Sequence, residues 1–263
     1  MMQLHFHKYH GTGNDFILLD NRTGKISLSR AEVAGLCHRR FGIGADGLML
    51  LETTPDADFR MIYYNSDGGE STMCGNGGRC IVAFAYALGI IKDETQFLAI
   101  DGLHLATVEP GGIISLGMKD VDAIHHYDGY DILDTGSPHF ILAVNDTTSA
   151  DVFHTGRSIR NEARFAPDGI NVNFVSRQGN DSLSVRTYER GVEDETLSCG
   201  TGVTAAAIAA SGTATGNFSY QVQTPGGRLE VRFTKAAPDT AQGVILRGPA
   251  VRVFEGDVLV SSL

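Results

Sequence analysis

The sequence predicts an α/β chain of the α+β type: two pseudo-symmetric domains, each a curled β-sheet or barrel wrapped around a central helix. Three observations carry this. Cys74-Gly75-Asn76-Gly77 and Cys199-Gly200-Thr201-Gly202 repeat one C-G-x-G pattern 125 positions apart, each ahead of an apolar run. Short apolar stretches bounded by glycine turns fill the rest of each half, as in strand-rich folds. Segment 204–210 is almost entirely small and apolar, and a helix apolar on every side is a buried one.

The same offset recurs along the chain. Gly102 matches Gly227, Asp46 matches Asn171, Asn14 matches His139, and Tyr63 matches Tyr188. One such match is trivial in a glycine-rich chain; several in one register indicate an internal duplication into halves of ordinary domain size. Each half opens on an apolar strand, 16–19 and 140–144. Next comes a helix. The first is opened by Ser29 with Glu32 three residues on, the capping-box spacing; its counterpart is expected to open near Thr155 or Ser158. Strands follow at 48–51 and 59–64, matched by 172–175 and 184–188. The C-G-x-G segment and its helix come next. Strand pairs around Gly102 and Gly227, with glycine turns at Pro110-Gly111-Gly112 and Pro225-Gly226-Gly227, close each half.

Composition excludes several functions. Among 263 residues, 31 are acidic and 21 basic, a net charge of −10. A general nucleic-acid binder needs clustered Lys and Arg, so nucleic acid is not an expected partner; a local basic pocket for an acidic ligand is compatible. No apolar stretch has bilayer length, and the first ten residues hold no signal-peptide core. A soluble cytoplasmic protein without a membrane partner is expected. The cysteines, Cys37, Cys74, Cys80 and Cys199, show no C-x2-C spacing, which argues against a disulfide scaffold or structural zinc.

Cys74 and Cys199 each stand at the start of a helix. There, glycines allow close backbone approach to a ligand, and free N–H groups with the positive dipole end form an anion cradle. A thiol in that place ionises more easily. A lone cysteine is ordinarily a buried packing residue, which is the reading for Cys37 and Cys80. The paired motif sets Cys74 and Cys199 apart. Two activated thiols and two anion cradles suit racemisation or epimerisation at a carbon α to a carboxylate: one thiolate takes a proton from one face, and one thiol returns a proton to the other.

The chain resembles the diaminopimelate epimerase family over nearly its whole length. The resemblance rests on His10-Gly11-Thr12-Gly13-Asn14-Asp15-Phe16, Arg39-Arg40-Phe41-Gly42-Ile43-Gly44-Ala45-Asp46-Gly47, Asn65-Ser66-Asp67-Gly68, Met73-Cys74-Gly75-Asn76-Gly77-Gly78-Arg79-Cys80, Pro138-His139, Asn171-Val172-Asn173-Phe174, Glu189-Arg190-Gly191 and Cys199-Gly200-Thr201-Gly202. It implies a cofactor-free enzyme, without metal, that interconverts LL- and meso-diaminopimelate on the route to lysine and peptidoglycan. It also implies a homodimer and two domains: 1–120, joined by a returning tail 250–263, and 121–249. Cys74 and Cys199 resemble the two acid/base thiols, with His139 and Glu189 as a polar pair that tunes thiol protonation. Gly75, Asn76, Gly200 and Thr201 resemble the groups that hold the proximal carboxylate. Asn65, Asn171, Glu189 and Arg190 resemble those that hold the distal amino-acid end, and Asn14 another substrate contact. An Arg fork matches a carboxylate, and a Glu matches an ammonium.

Three positions depart from the family pattern. Gly47 stands where some members carry a substrate-contacting Gln, Ser137 where some carry a substrate-binding Asn, and the segment 189–196 is one residue longer than the common form. The nearest alternative is a proline or hydroxyproline racemase or epimerase of the related two-cysteine group, which typically has His in place of Asn76. Asn76 and Glu189-Arg190-Gly191 favour a substrate with a second charged end. A redox or metal-binding module would need close-spaced cysteines, and nothing singles out a Schiff-base lysine for a pyridoxal enzyme.

Overall fold

The computed structural model describes residues 2–260. The chain divides into two compact units: the first runs to Leu116 and takes back the chain from Pro249, and the second is Gly117–Gly248. Among the described residues, no helix is long and apolar enough to cross a membrane.

In chain order, the first unit holds β1 (Met2–Gly11), β2 (Asn14–Asp20), α1 (Arg30–Cys37), β3 (Gly47–Glu52), β4 (Phe59–Asn65), α2 (Gly75–Ala87), β5 (Glu94–Ala99), β6 (Gly102–Glu109) and β7 (Ile113–Gly117), with the returning strand Val251–Val260. Its strands neighbour one another in the order returning strand, β1, β2, β3, β4, β5, β6, β7. Two of these pairings, β2 with β3 and β4 with β5, are parallel. A parallel neighbour requires a crossover, and α1 and α2 are those crossovers. Ser29 caps α1 with a complete capping box: its hydroxyl accepts from Glu32 N, and Glu32 Oε2 accepts from Ser29 N at 2.8 Å. Helix α1 packs Val33, Leu36 and Cys37 against Leu4, Phe6, Ile17, Leu19, Leu48 and Leu50 on one face of the sheet. Helix α2, buried over most of its length, packs against β1, β2, β3 and β6, so the sheet curls around it.

The second unit repeats the plan. It holds β8 (Ile124–Tyr127), β9 (Tyr130–Asp134), β10 (Pro138–Ala143), α3 (Val152–Arg160), β11 (Asn171–Arg177), β12 (Ser182–Glu189), β13 (Asp194–Thr196), α4 (Gly200–Ala210), β14 (Gly216–Thr224), β15 (Gly227–Lys235) and β16 (Gln242–Pro249). The strands neighbour in the order β8, β9, β10, β11, β12, β14, β15, β16. The pairings run antiparallel, antiparallel, parallel, antiparallel, parallel, antiparallel, antiparallel, which is also the series of the first unit. Helix α4 is enclosed on nearly every side, with Val203, Ala205, Ala206, Ala207 and Ile208 fully buried among Leu183, Val185, Val222, Leu229, Val231 and Leu246. Alanines keep its radius small enough for strands to close round it. Burying Val203 and Ile208 contributes roughly 1.5–3 kcal/mol each.

Helix α3 opens earlier than Thr155 or Ser158. Its cap is Asp151, whose Oδ1 accepts from His154 N at 3.1 Å, and Thr155 and Ser158 lie inside the helix. Asp caps as well as Ser or Thr. The helix buries only Val152 and Gly156 of its own residues, so its entry shows no apolar run to mark it.

One ion-pair network ties β1, β2 and the loop after α1. Asp15 accepts from the buried Lys8 at 2.7 Å and from Arg39 at 2.7 Å, and Arg39 also reaches Asp46 at 2.7 Å. Burial alone would raise the Asp15 carboxyl. The hydrogen bonds and charges of Arg39 and Lys8 outweigh it and hold the group well below the usual carboxylate range. Replacing Asp15 by Asn leaves the buried Lys8 without its counter-charge, although Gly44 O still accepts from it, and is expected to lower unfolding free energy by about 3 kcal/mol, whereas Asp46→Asn, at a more exposed pair, costs less than about 1 kcal/mol. Because the folded-state pKa is depressed, the Asp15 contribution is complete above the unfolded value of about 3.9 and is lost as pH falls through the folded value. Urea unfolding of the three proteins across acidic pH checks both the size and the sign.

Candidate active site

Cys74 is the N-cap residue of α2, and its Sγ accepts from Gly77 N at 3.2 Å. Cys199 is the N-cap residue of α4, is 7% exposed, and places Sγ 3.4 Å from Thr201 Oγ1. Each thiol therefore sits in the field of a helix N-terminus, where the backbone offers donors to negative charge. The second glycine of each motif is required by close approach. A Cβ on Gly77 would lie 2.6 Å from Met49 Cε, and one on Gly202 would lie 2.3 Å from Asn173 Oδ1.

In the first unit a line of polar side chains runs beneath Cys74. Arg79 is fully buried and donates to Gly75 O at 3.0 Å, to Asn76 Oδ1 at 2.9 Å and to Pro249 O at 3.4 Å. Because Asn76 Oδ1 takes that donor, its Nδ2 faces Asn14 Oδ1, 3.3 Å away. Asn14 Nδ2 in turn donates to Asp46 Oδ2 at 2.7 Å. The orientation of both amides is thus fixed from Arg79 onward. Burial pushes Arg79 down to about 10, which leaves it a cation at neutral pH. Asn65 ends β4, is exposed, and is paired in register with Gly47.

A second line lies beneath Cys199. Asn173 Oδ1 accepts from Thr187 Oγ1 at 2.9 Å, so its Nδ2 donates, to Phe140 O at 3.2 Å and to His139 Nδ1 at 3.1 Å. His139 Nδ1 is then the acceptor and Nε2 carries the proton. Nε2 donates to Ser137 Oγ at 3.0 Å, and Asn171 Nδ2 donates to the same oxygen at 3.1 Å. The Ser137 hydroxyl proton is left for Thr201 Oγ1 at 3.3 Å, and the Thr201 proton for Cys199 Sγ at 3.4 Å. The series of donors reaches the sulfur through the Thr201 hydroxyl, which can meet a thiolate as donor or a thiol as acceptor. Burial pushes His139 down to about 3, so the ring is neutral at physiological pH and works as a hydrogen-bonding group. Asn171 Oδ1 accepts from Arg190 N at 2.9 Å, and Glu189 Oε2 accepts from Thr196 Oγ1 at 2.8 Å.

The other two cysteines are enclosed. Burial pushes Cys37 up to about 12 and raises Cys80 further still, and both are buried thiols, Cys37 in the α1 core and Cys80 inside α2.

The family model described as diaminopimelate epimerase matches residues 6–123 and 132–253. The chain belongs to the diaminopimelate epimerase family. A protein named diaminopimelate epimerase from Flavobacterium psychrophilum is 51% identical over 251 residues, covering 95% of this chain and 98% of that one. Among solved structures, a phenazine biosynthesis protein of the PhzF family from Bacillus anthracis superposes with a TM-score of 0.75 at 16% identity, covering 99% of this chain and 100% of that one. A hydroxyproline epimerase from Agrobacterium vitis superposes with a TM-score of 0.71 at 15% identity, covering 97% and 92%. At such identities the two structures speak for the fold alone.

The departures from the diaminopimelate epimerase pattern have local explanations. A side chain at Gly47 has no room, since its Cβ would lie 2.6 Å from the Tyr63 ring and 2.7 Å from Tyr64 O. Ser137 is the hub that joins His139, Asn171 and Thr201. The longer segment is absorbed at a hairpin tip. Gly191 and Glu193 take positive φ of 91° and 59°, and Glu193 is held by Arg160 at 2.9 Å, so that Thr187 still pairs with Thr196. Sequence reasoning did not single out Arg79 or Asn173. Arg79 stands three positions after Asn76, a spacing that puts both on one helix face, and that was its readable signal. Asn173 becomes recognisable only once Gly202 is seen to admit its carbonyl.

Thr201→Val removes the hydroxyl that meets Cys199 Sγ and is expected to slow iodoacetamide alkylation of Cys199 at neutral pH by about tenfold, equivalent to one lost hydrogen bond to a charged group, while leaving Cys74 unaffected. Peptide mapping of the alkylated protein measures each thiol separately.

Proposed function

We propose that the protein is a diaminopimelate epimerase that needs no cofactor and works by two thiols. The carrying observation is that Cys74 and Cys199 each stand at a helix N-terminus, Cys74 Sγ accepting from Gly77 N and Cys199 Sγ meeting the Thr201 hydroxyl, while Cys37 and Cys80 are packed away. One thiolate takes the Cα proton and the other thiol returns a proton to the opposite face. The helix N-termini, with Gly75, Asn76, Gly200 and Thr201, stabilise the carboxylate as charge builds on it. Asn65, Asn171, Glu189 and Arg190 hold the distal amino-acid end, Arg190 toward its carboxylate and Glu189 toward its ammonium, and Asn14 makes another substrate contact. His139 acts on Cys199 through Ser137 and Thr201 as a positioning group. The name of the close relative supports diaminopimelate over proline or hydroxyproline, and so does the presence of Asn76. The product chemistry belongs to lysine and peptidoglycan-precursor synthesis, and the reduced thiols suit the cytoplasm.

Purified protein under reducing conditions, without added cofactor, is expected to epimerise LL-diaminopimelate and to incorporate solvent deuterium at Cα, and to leave proline and hydroxyproline unchanged. Cys74→Ala and Cys199→Ala should each lower turnover by at least about 10³-fold, because each face needs its own acid or base. Turnover retained in either variant would sink the two-thiol mechanism, and activity on proline alone would move the assignment to the rival group.

We also propose a homodimer. The returning strand exposes Val251, Val253, Phe254 and Leu259, at 43%, 55%, 47% and 64%, a run of apolar side chains that a second copy of the chain would cover. Sedimentation should give a dimer at micromolar concentration, and Phe254→Ala should shift it toward monomer.

A further inference from the structure

The first strand and the returning strand carry a cluster that the epimerase chemistry does not use. In their antiparallel register His5 faces Asp257 and His7 faces Glu255. Positions 5 and 7 share one face of β1, so two imidazoles and a carboxylate converge. Their candidate ligand atoms all lie within 4.8 Å of one another. Glu255 Oε2 is 3.2 Å from His7 Nδ1 and 3.8 Å from His5 Nε2. Ligands bound tetrahedrally to zinc at about 2.0–2.1 Å stand roughly 3.3 Å apart, so small side-chain adjustments would bring the set into range.

Two details point beyond a chance cluster. His7 Nδ1 is shut off from solvent and has no aligned hydrogen bond among the described residues, although its ring is fixed against Phe84, 4.9 Å between centroids. His5 Nδ1 lies 3.0 Å from Asp257 Oδ1. That carboxylate selects the tautomer that leaves Nε2 with its lone pair turned to the cluster, the outer-shell arrangement that metal-bound imidazoles ordinarily have. One group competes: the Arg252 guanidinium contacts Glu255 Oε2 and would have to release it.

We propose that His5, His7 and Glu255 form a binding site for a divalent transition metal of the zinc class, with Asp257 as the outer carboxylate. Imidazole and carboxylate donors suit Zn²⁺ and Co²⁺ rather than Mg²⁺ or Ca²⁺. The ion would clasp the returning strand to the first strand, two segments about 250 residues apart in sequence.

Cobalt is the probe, because its visible spectrum reports ligand type. Chelator-stripped full-length protein, titrated with Co²⁺ and followed by absorption and calorimetry, is expected to take up one equivalent with no thiolate charge-transfer band. Uptake should persist in the Cys74→Ser/Cys199→Ser double variant, and Zn²⁺ should compete for it. His7→Gln and Glu255→Gln should each weaken binding at least tenfold, Asp257→Asn about tenfold, and Arg252→Gln should strengthen it. Thermal unfolding should shift upward with Zn²⁺ in the parent and not in His5→Gln/His7→Gln. Absence of saturable uptake, a thiolate band, or uptake unchanged in the double histidine variant would each overturn the site.

Discussion

The fold rests on one constraint: a helix enclosed by a sheet still presents a polar N-terminal end. Along its sides, α4 needs nothing but small apolar residues, and it has them. At its start the first N–H groups and the dipole remain, and enclosure makes them costly unless something polar meets them. Both units place a cysteine at the cap position beside two glycines, but they meet this cost differently. Cys74 Sγ accepts from Gly77 N, while Arg79, Asn76 and Asn14 form a line close by. Cys199 Sγ instead meets the Thr201 hydroxyl, from which a line runs through Ser137 to His139. Anion affinity at these ends follows from the architecture that buries the helices.

The repeated strand order explains why the fold was so legible. A duplicated sequence preserves features that close packing uses, such as Gly77 against Met49 and Gly202 against Asn173, and these fall in one register. The apolar strands 16–19, 48–51 and 172–175 are buried on both faces and read as continuous runs; each appears, one or two residues longer at its ends. Less legible were elements whose signals are weak or distant. Helix α3 begins at an Asp cap with little apolar burial behind it. Strand β1 alternates Leu4 and Phe6 with His5 and His7, a period-two pattern that histidines obscure. The returning strand packs beside β1 through contacts far away in sequence, and local patterning says nothing about such a pairing.

Within the candidate site, the two thiols and their glycines were readable because they are repeated. The residues that orient them were not, because they are not repeated in kind. Beneath Cys74 a buried Arg79 sets two amides; beneath Cys199 a neutral His139 acts through two hydroxyls. The 125-residue register pairs Asn14 with His139, and the structure gives both a place in a polar line, but the chemistry of the lines differs. Ser137 illustrates the same point. In sequence it is a departure from an Asn; in the fold it receives two donors and passes one proton on.

That difference in chemistry bears on how two thiols can exchange roles. A two-thiol epimerase of the kind proposed must stabilise each sulfur as thiolate in one direction and as thiol in the other. The Gly77 N–H is a fixed donor, so it always favours negative charge on Cys74. The Thr201 and Ser137 hydroxyls rotate, and each can donate or accept. If Cys199 is protonated, its S–H can be accepted by Thr201 once that hydroxyl turns its own proton away, while Ser137, which already receives His139 Nε2 and Asn171 Nδ2, still donates to Thr201. The arrangement beneath Cys199 therefore tolerates both protonation states, while that beneath Cys74 is biased toward one. In the proposed two-thiol reaction, the fixed Gly77 N–H favours charge on Cys74, whereas the rotatable Thr201 hydroxyl can serve either form of Cys199.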